Sequence, residues 1–141
     1  MVSIPGLHCA ALLSMIQKGM VNVIIDQPDS DFYIKHYEPG SITLNTGRRL
    51  DENVLVFADQ DPEVWAIHSL NEIEWSPVIA YQPELVVFGT GEQQIFPEAK
   101  VLLPLHERQI GLEIMHNRAA CQTFNLLIDE GRKVVLALWL G

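Results

Sequence analysis

The sequence predicts an α/β fold, a small three-layer domain whose mixed central sheet carries a C-terminal βαβαβ unit and an N-terminal β-hairpin layer. Three observations predict it. Residues 85–88 (Leu-Val-Val-Phe) form an unbroken apolar run, as expected of a strand covered on both faces, and Gly89-Thr90-Gly91 stops it. Gly111-Leu112-Glu113-Ile114-Met115 reads as a second strand. It leads into a helix that Asn117 can cap and that sets Ala120, Phe124, Leu127 and Ile128 on one face; Gly131 closes that helix and residues 134–140 form a last apolar strand. Residues 32–37 alternate in polarity, and Glu38-Pro39-Gly40-Ser41 turns the chain into Ile42-Thr43-Leu44-Asn45, which is the pattern of a hairpin.

The remaining elements follow in chain order. Residues 1–19 contain an apolar run, 9–16, too short to span a bilayer and not preceded by Lys or Arg, so they read as a weakly packed extension before a single α/β domain over 20–141. A start at Met15 or Met20 fits that division. Val21, Val23 and Ile25 alternate as a strand does. After the hairpin, residues 53–57 form another strand, Asp59-Gln60-Asp61-Pro62 breaks the chain, and residues 63–67 offer a further short strand. Ser69-Leu70-Asn71-Glu72 matches a capping box and Ser76-Pro77 a second helix start, so a short or broken helix is expected there. Pro97-Glu98-Ala99 opens the helix before Gly111, but Pro104 lacks the N–H an interior position needs. That helix is therefore expected either to start near Leu103 or to kink. Right-handed crossovers would place it and the C-terminal helix on one face of the sheet if strand order ran consecutively, with the hairpin covering another part.

Composition bounds the function. With 141 residues, 48% of them hydrophobic, the chain can bury a substantial core. Eighteen acidic against nine basic residues give a net charge of -9, which repels phosphate backbones and anionic headgroups. Arg48-Arg49 and Arg132-Lys133 are the only adjacent basic pairs, so no basic stripe supports nucleic-acid binding. Cys9 and Cys121 form no CxxC, and the five histidines form no HxH or HxxxH pair. No metal and no cofactor is expected, each histidine reads as a surface or hydrogen-bonded residue, and a reducing cytoplasm suits the two thiols.

The strings PELVVFGTG at 83–91, Phe96-Pro97, Ile110-Gly111-Leu112-Glu113-Ile114-Met115, Ala119-Ala120-Cys121-Gln122-Thr123-Phe124-Asn125 and Glu130-Gly131-Arg132 carry a family resemblance. Over roughly residues 21–140 the chain resembles the domain-of-unknown-function family that includes a mitochondrial respiratory complex I assembly factor and the adipogenesis-associated, Mth938 domain-containing proteins. The resemblance implies a small three-layer α/β fold and no established catalytic activity. A scaffold or assembly role is implied for mitochondrial members, with an unassigned one for bacterial members.

Chemistry concentrates around the glycine turn. Gly89-Thr90-Gly91 after an apolar strand invites a dinucleotide reading, because such a turn lets backbone amides approach a phosphate. The fingerprint fails at its third glycine, where Gln94 stands, and at the ribose acid, where His116 and Asn117 stand. Packing or positive φ explains the glycines more simply. Cys121 lies near a helix start whose dipole lowers a thiol pKa, yet between Ala120 and Phe124 it fits a small apolar core residue better. The polar helix side, Arg118, Gln122, Asn125 and Asp129, is ordinary solvent-facing material. Thr123 and Asn125 belong to the family-like pattern, so part of this face is expected to tie down the turn or meet a partner. Asp129-Glu130 ends the helix where negative charge is unfavourable, and Arg132 and Lys133 can offset it. Trp65, Trp75 and Trp139 are expected in the core first and at an interface second.

The leading expectation is a non-enzymatic cytoplasmic domain that binds another protein and assists assembly of a larger complex. It has no integral membrane segment, and any membrane association would be peripheral, through the partner. The alternative is a small-molecule binder or enzyme using a crevice of Gly89, Thr90, Gly91, Asn117, Arg118, Cys121 and Asn125. An assembly factor needs an exposed apolar or aromatic patch outside that crevice; an enzyme needs a concave pocket with convergent polar groups.

Overall fold

The computed structural model describes residues 31–141. The extension, the 21–25 strand and the alternative starts lie outside the described residues. Strands β1 (Ile34–Glu38), β2 (Ser41–Leu44) and β3 (Arg49–Leu50) form a three-stranded antiparallel sheet. Pro39 and Gly40 make the two-residue turn of its hairpin, between the paired Glu38 and Ser41, and Gly40 supplies φ +86° at the second corner.

The larger sheet contains β4 (Val54–Phe57), β5 (Glu63–Val64), β6 (Leu85–Gly89), β7 (Gly111–Met115) and β8 (Val134–Leu138) in the order β5-β4-β8-β6-β7. It is mixed, as expected: β6 is parallel to both β7 and β8, while β4 is antiparallel to β8 and β5. The helices are α1 (Ser76–Tyr81), α2 (Ala99–Glu107) and α3 (Asn117–Asp129).

Alternation along the central strands divides the core in two. Val54, Val56, Val87, Val134, Leu136 and Leu138 face α3 and the small sheet, meeting Ala120, Cys121, Phe124, Ile42 and Leu44. Leu55, Phe57, Val86, Phe88, Val135 and Ala137 face α1 and α2, meeting Val78, Leu102, Leu105, Trp65 and Trp75. All five residues of β8 are buried, which is why this strand is a continuous apolar run rather than an alternating one.

Several expectations are corrected. The two crossover helices lie on opposite faces of the sheet. The chain runs from β6 outward to β7, then reverses past β6 to reach β8, and right-handed crossovers in opposite directions put their helices on opposite sides. No helix forms at Ser69, where the Oγ accepts the Asn71 N–H at 3.1 Å and Ser69 bridges to Glu72. Trp65 and Trp75 pack with tilted rings, centroids 5.5 Å apart, so the segment between them doubles back. The strand expected over 63–67 is two residues long, and the last strand ends at Leu138. α2 starts at Ala99 and runs through Pro104, with Trp75 Nε1 donating to the Val101 carbonyl at 2.8 Å.

Candidate functional site

α3 starts one residue earlier than the capping preference suggests. His116 is its N-cap, with Nδ1 accepting the Ala119 N–H at 3.3 Å, and Asn117 is the first helical residue. Because His116 does the capping, the Asn117 carboxamide is left for tertiary bonds, which its burial at 2% exposure demands. Its Oδ1 accepts the Gly91 N–H at 3.0 Å and its Nδ2 donates to the Trp139 carbonyl at 2.9 Å. The Asn117 N–H in turn donates to the Gly91 carbonyl at 2.8 Å, and the Trp139 N–H to the Gly89 carbonyl at 2.9 Å. One side chain thus ties together the loop after β6, the start of α3 and the segment after β8.

The glycine turn is shaped around this knot. A Cβ on Gly89 would land on Asn117 Oδ1 and 2.7 Å from Leu138 Cδ2, so close approach demands glycine there. Gly91 has φ +109°. Thr90 is buried, its hydroxyl donating to the Gln93 carbonyl at 2.8 Å and accepting the Ile95 N–H at 2.9 Å, which folds the loop back on itself. At the N-terminus of α3, where a dinucleotide fold receives a phosphate, the Gly91 carbonyl and the His116 ring occupy two of the amides.

The seven crevice residues named from the sequence do not all converge. An open groove of about 410 Å³ runs past Thr90, Gly91 and Asn117, and is completed by Tyr37, Glu92 and Trp139. Those last three were missed. Tyr37 Oη donates to Glu92 Oε1 at 2.9 Å, and the Arg118 guanidinium lies 5.2 Å from the centre of the Tyr37 ring. Burial and the Glu92 carboxylate raise the Tyr37 pKa. No sequence signal pointed to this pair: alternation from Ile34 would turn Tyr37 outward, a bulge between Ile34 and His36 brings it inward, and Glu92 lies 55 residues further on.

Cys121 and Asn125 stand apart from the groove. Cys121 is 3% exposed among core side chains, and burial pushes its thiol up to about 12 despite the nearby Arg118 charge. A thiol so placed stays protonated at neutral pH and is a poor nucleophile. The Asn125 carboxamide pairs with both backbone groups of Ile34, accepting its N–H and donating to its carbonyl, each at 2.8 Å. Asn125 therefore fastens α3 to β1, while Asn117 secures the turn. The Thr123 hydroxyl donates to Met115 Sδ at 3.3 Å. Arg132 reaches Glu84 at 3.7 Å, and Lys133 lies over the Tyr81 ring, 4.6 Å from its centre.

Among the described residues, His36, His68, His106 and His116 are exposed, and no three His, Cys, Asp or Glu side chains gather as a metal site would require. No described helix is long and apolar enough to cross a membrane.

The family model described as a protein of unknown function (DUF498/DUF598) matches residues 34–139. The chain belongs to this family. Among curated relatives, the 13 kDa major membrane protein of Francisella tularensis is 29% identical over 72% of this chain and 85% of its own length. The rat NADH dehydrogenase [ubiquinone] 1 alpha subcomplex assembly factor 3 is 29% identical over 88% of this chain and 69% of its own. In three dimensions, a Xanthomonas campestris protein solved by NMR superposes with a TM-score of 0.70 at 32% identity, covering 84% of this chain and 93% of that one. A Mth938-like domain from Bordetella pertussis gives 0.66 at 23% identity, covering 82% and 90%, and shares the fold.

Proposed function

We propose that this chain is a non-enzymatic protein-binding domain with an assembly-factor-like role. The observation that carries this reading is the relation, along 88% of the chain, to a protein named NADH dehydrogenase [ubiquinone] 1 alpha subcomplex assembly factor 3. The crevice supports it. The Asn117, Thr90 and Glu92 side chains all bond within the fold, and Cys121 is held protonated, so the groove does not offer the convergent free polar groups that catalysis needs. Any membrane attachment would run through the partner, in a cytoplasmic setting.

Affinity capture of the full chain from its native cell, with identification and quantification of co-purifying proteins, tests the proposal. A stoichiometric partner retained by Cys121→Ser is the expected result. Loss of a measured turnover in a folded Cys121→Ser protein, with no partner captured by either form, would overturn it.

A second reading has one observation in its favour, the concavity of the groove with Tyr37 and Trp139 in its walls. A small molecule bound there would change the Trp139 emission, and Thr90→Val would weaken that response.

A further inference from the structure

A sheet edge exposes unpaired backbone groups, and natural folds usually blunt it. Among the described residues, four strands form edges. β3 and β5 are two residues long, too short to template another strand. β1 is longer, but the outward N–H and C=O of Ile34 are both taken by Asn125. β7 is different. It has five residues, lies at the end of the larger sheet and, among the described residues, is bounded on one side only, by β6.

The register fixes which groups face outward. Gly111 donates to Glu84 and Met115 accepts from Thr90, so Gly111, Glu113 and Met115 direct their peptide groups to β6. Leu112 and Ile114 direct theirs away. Of those four groups only the Ile114 carbonyl has a partner among the described residues, the Gln94 side-chain amide at 2.9 Å. That exposed side chain stands where the donor of an added strand would stand. The side chains along the edge are equally specific. Leu112 and Ile114 are half-buried at the margin of the α2 face, whereas Glu113 is exposed on the opposite face.

We propose that β7 receives an extended segment of a partner protein, paired as a sixth strand and carrying a lysine or arginine opposite Glu113. Its flanking residues are apolar, extending the half-buried row of Leu112 and Ile114. The inference rests on the protein-binding reading and names the surface and the recognition chemistry. Charge selects the partner. A second copy paired about a two-fold axis through Glu113 would set one Glu113 directly against the other, and like charges directly opposite are unfavourable. A cationic segment gains instead, both from Glu113 and from the net charge of -9.

The test uses the full ¹⁵N-labelled chain and a synthetic capped peptide, Thr-Val-Lys-Val-Thr, as the probe. Bound peptide should slow hydrogen exchange at the Leu112 and Ile114 amides by about tenfold or more. N-methylation of the peptide amides that face β7 should abolish the effect. Replacing its Lys by Glu should weaken binding by about tenfold, and Glu113→Lys should reverse that preference. Gln94→Ala, which uncovers the Ile114 carbonyl, should bind at least as tightly. Absence of peptide binding, or shifts elsewhere with both amides still exchanging fast, overturns the proposal. Protection without peptide also overturns it, assigning the edge to a second copy if it grows with concentration and to another segment of this chain if it does not. A native partner captured equally by wild type and Glu113→Lys would remove the edge as its site while leaving the protein-binding reading intact.

Discussion

Asn117 shows how one buried carboxamide defines a site. Its two bonds reach parts of the chain 26 and 22 residues away, so truncation leaves the Gly91 N–H and the Trp139 carbonyl unpaired together. Asn117→Ala is expected to cost about 2–4 kcal/mol, the penalty of two stranded backbone groups. Asn117→Asp, nearly the same shape, should fare no better near neutral pH, because a carboxylate oxygen would then face the Trp139 carbonyl. Urea unfolding of both variants checks this; a stable Asp variant would mean that shape rather than hydrogen bonding holds the turn. Cys121 supplies a second prediction, in pH. Its thiol is raised from 9.0 to about 12 in the fold, so the unfolded chain loses that proton first as pH rises. Stability linked to this group is complete below pH 9.0 and is lost as pH climbs toward 12, by about 2 kcal/mol between pH 9 and 10.5. Tyr37 and Tyr81, also raised, add to the loss in the same direction, so the Cys121 share is the part of the slope that Cys121→Ala removes in unfolding midpoints measured at those pH values.

Helix α3 brings together what was legible in the sequence and what was not. Its end was legible because Gly131, at φ +75°, closes a Schellman motif in which Gly131 donates to Ile128 at 3.0 Å and Arg132 to Leu127 at 3.1 Å. No atom lies within 4 Å of a Cβ built there, so Gly131→Ala carries backbone strain without a clash. It should destabilise by about 1 kcal/mol, with Gly131→Asn costing less, both read as shifts in thermal midpoint. The start was misplaced by one residue because Asn outranks His as a local cap, and only the tertiary bonds of Asn117 show why it lies inside the helix. The Ser69 box failed for a similar reason, since pairing of Trp65 with Trp75 overrides a local helix signal. At the groove, Gly91 was legible because the turn needs glycine, and Asn117 was picked out as a polar residue at the helix start although its bonds are tertiary rather than capping. Tyr37 and Glu92 were not, because their contact depends on how the small sheet lies against the turn, and no local pattern encodes that.

Reversal of the winding across β6 gives the molecule two half-cores that share one sheet. β8 is the shared element, sending Val134, Leu136 and Leu138 to the α3 side and Val135 and Ala137 to the α1–α2 side. A strand buried on both faces cannot keep one half-core without the other: losing β8 from the α3 face also removes the hydrogen-bonding partner of β4 and β6 from the face that holds Trp65 and Trp75. The two sides should therefore unfold as one unit. Leu136→Ala tests this from one side, because the side chain is fully buried against the α3 face and its loss should cost about 2–5 kcal/mol. Each face has its own probe. Cys121 labelling follows the α3 side, and tryptophan emission follows the other, where Trp65 and Trp75 are buried and Trp139 packs against the same cluster. In denaturant, both probes should shift by the same amount and keep a common midpoint in Leu136→Ala. Cys121 becoming reactive at a denaturant concentration where the tryptophan emission is still native would show instead that the small sheet and α3 open as a separate unit.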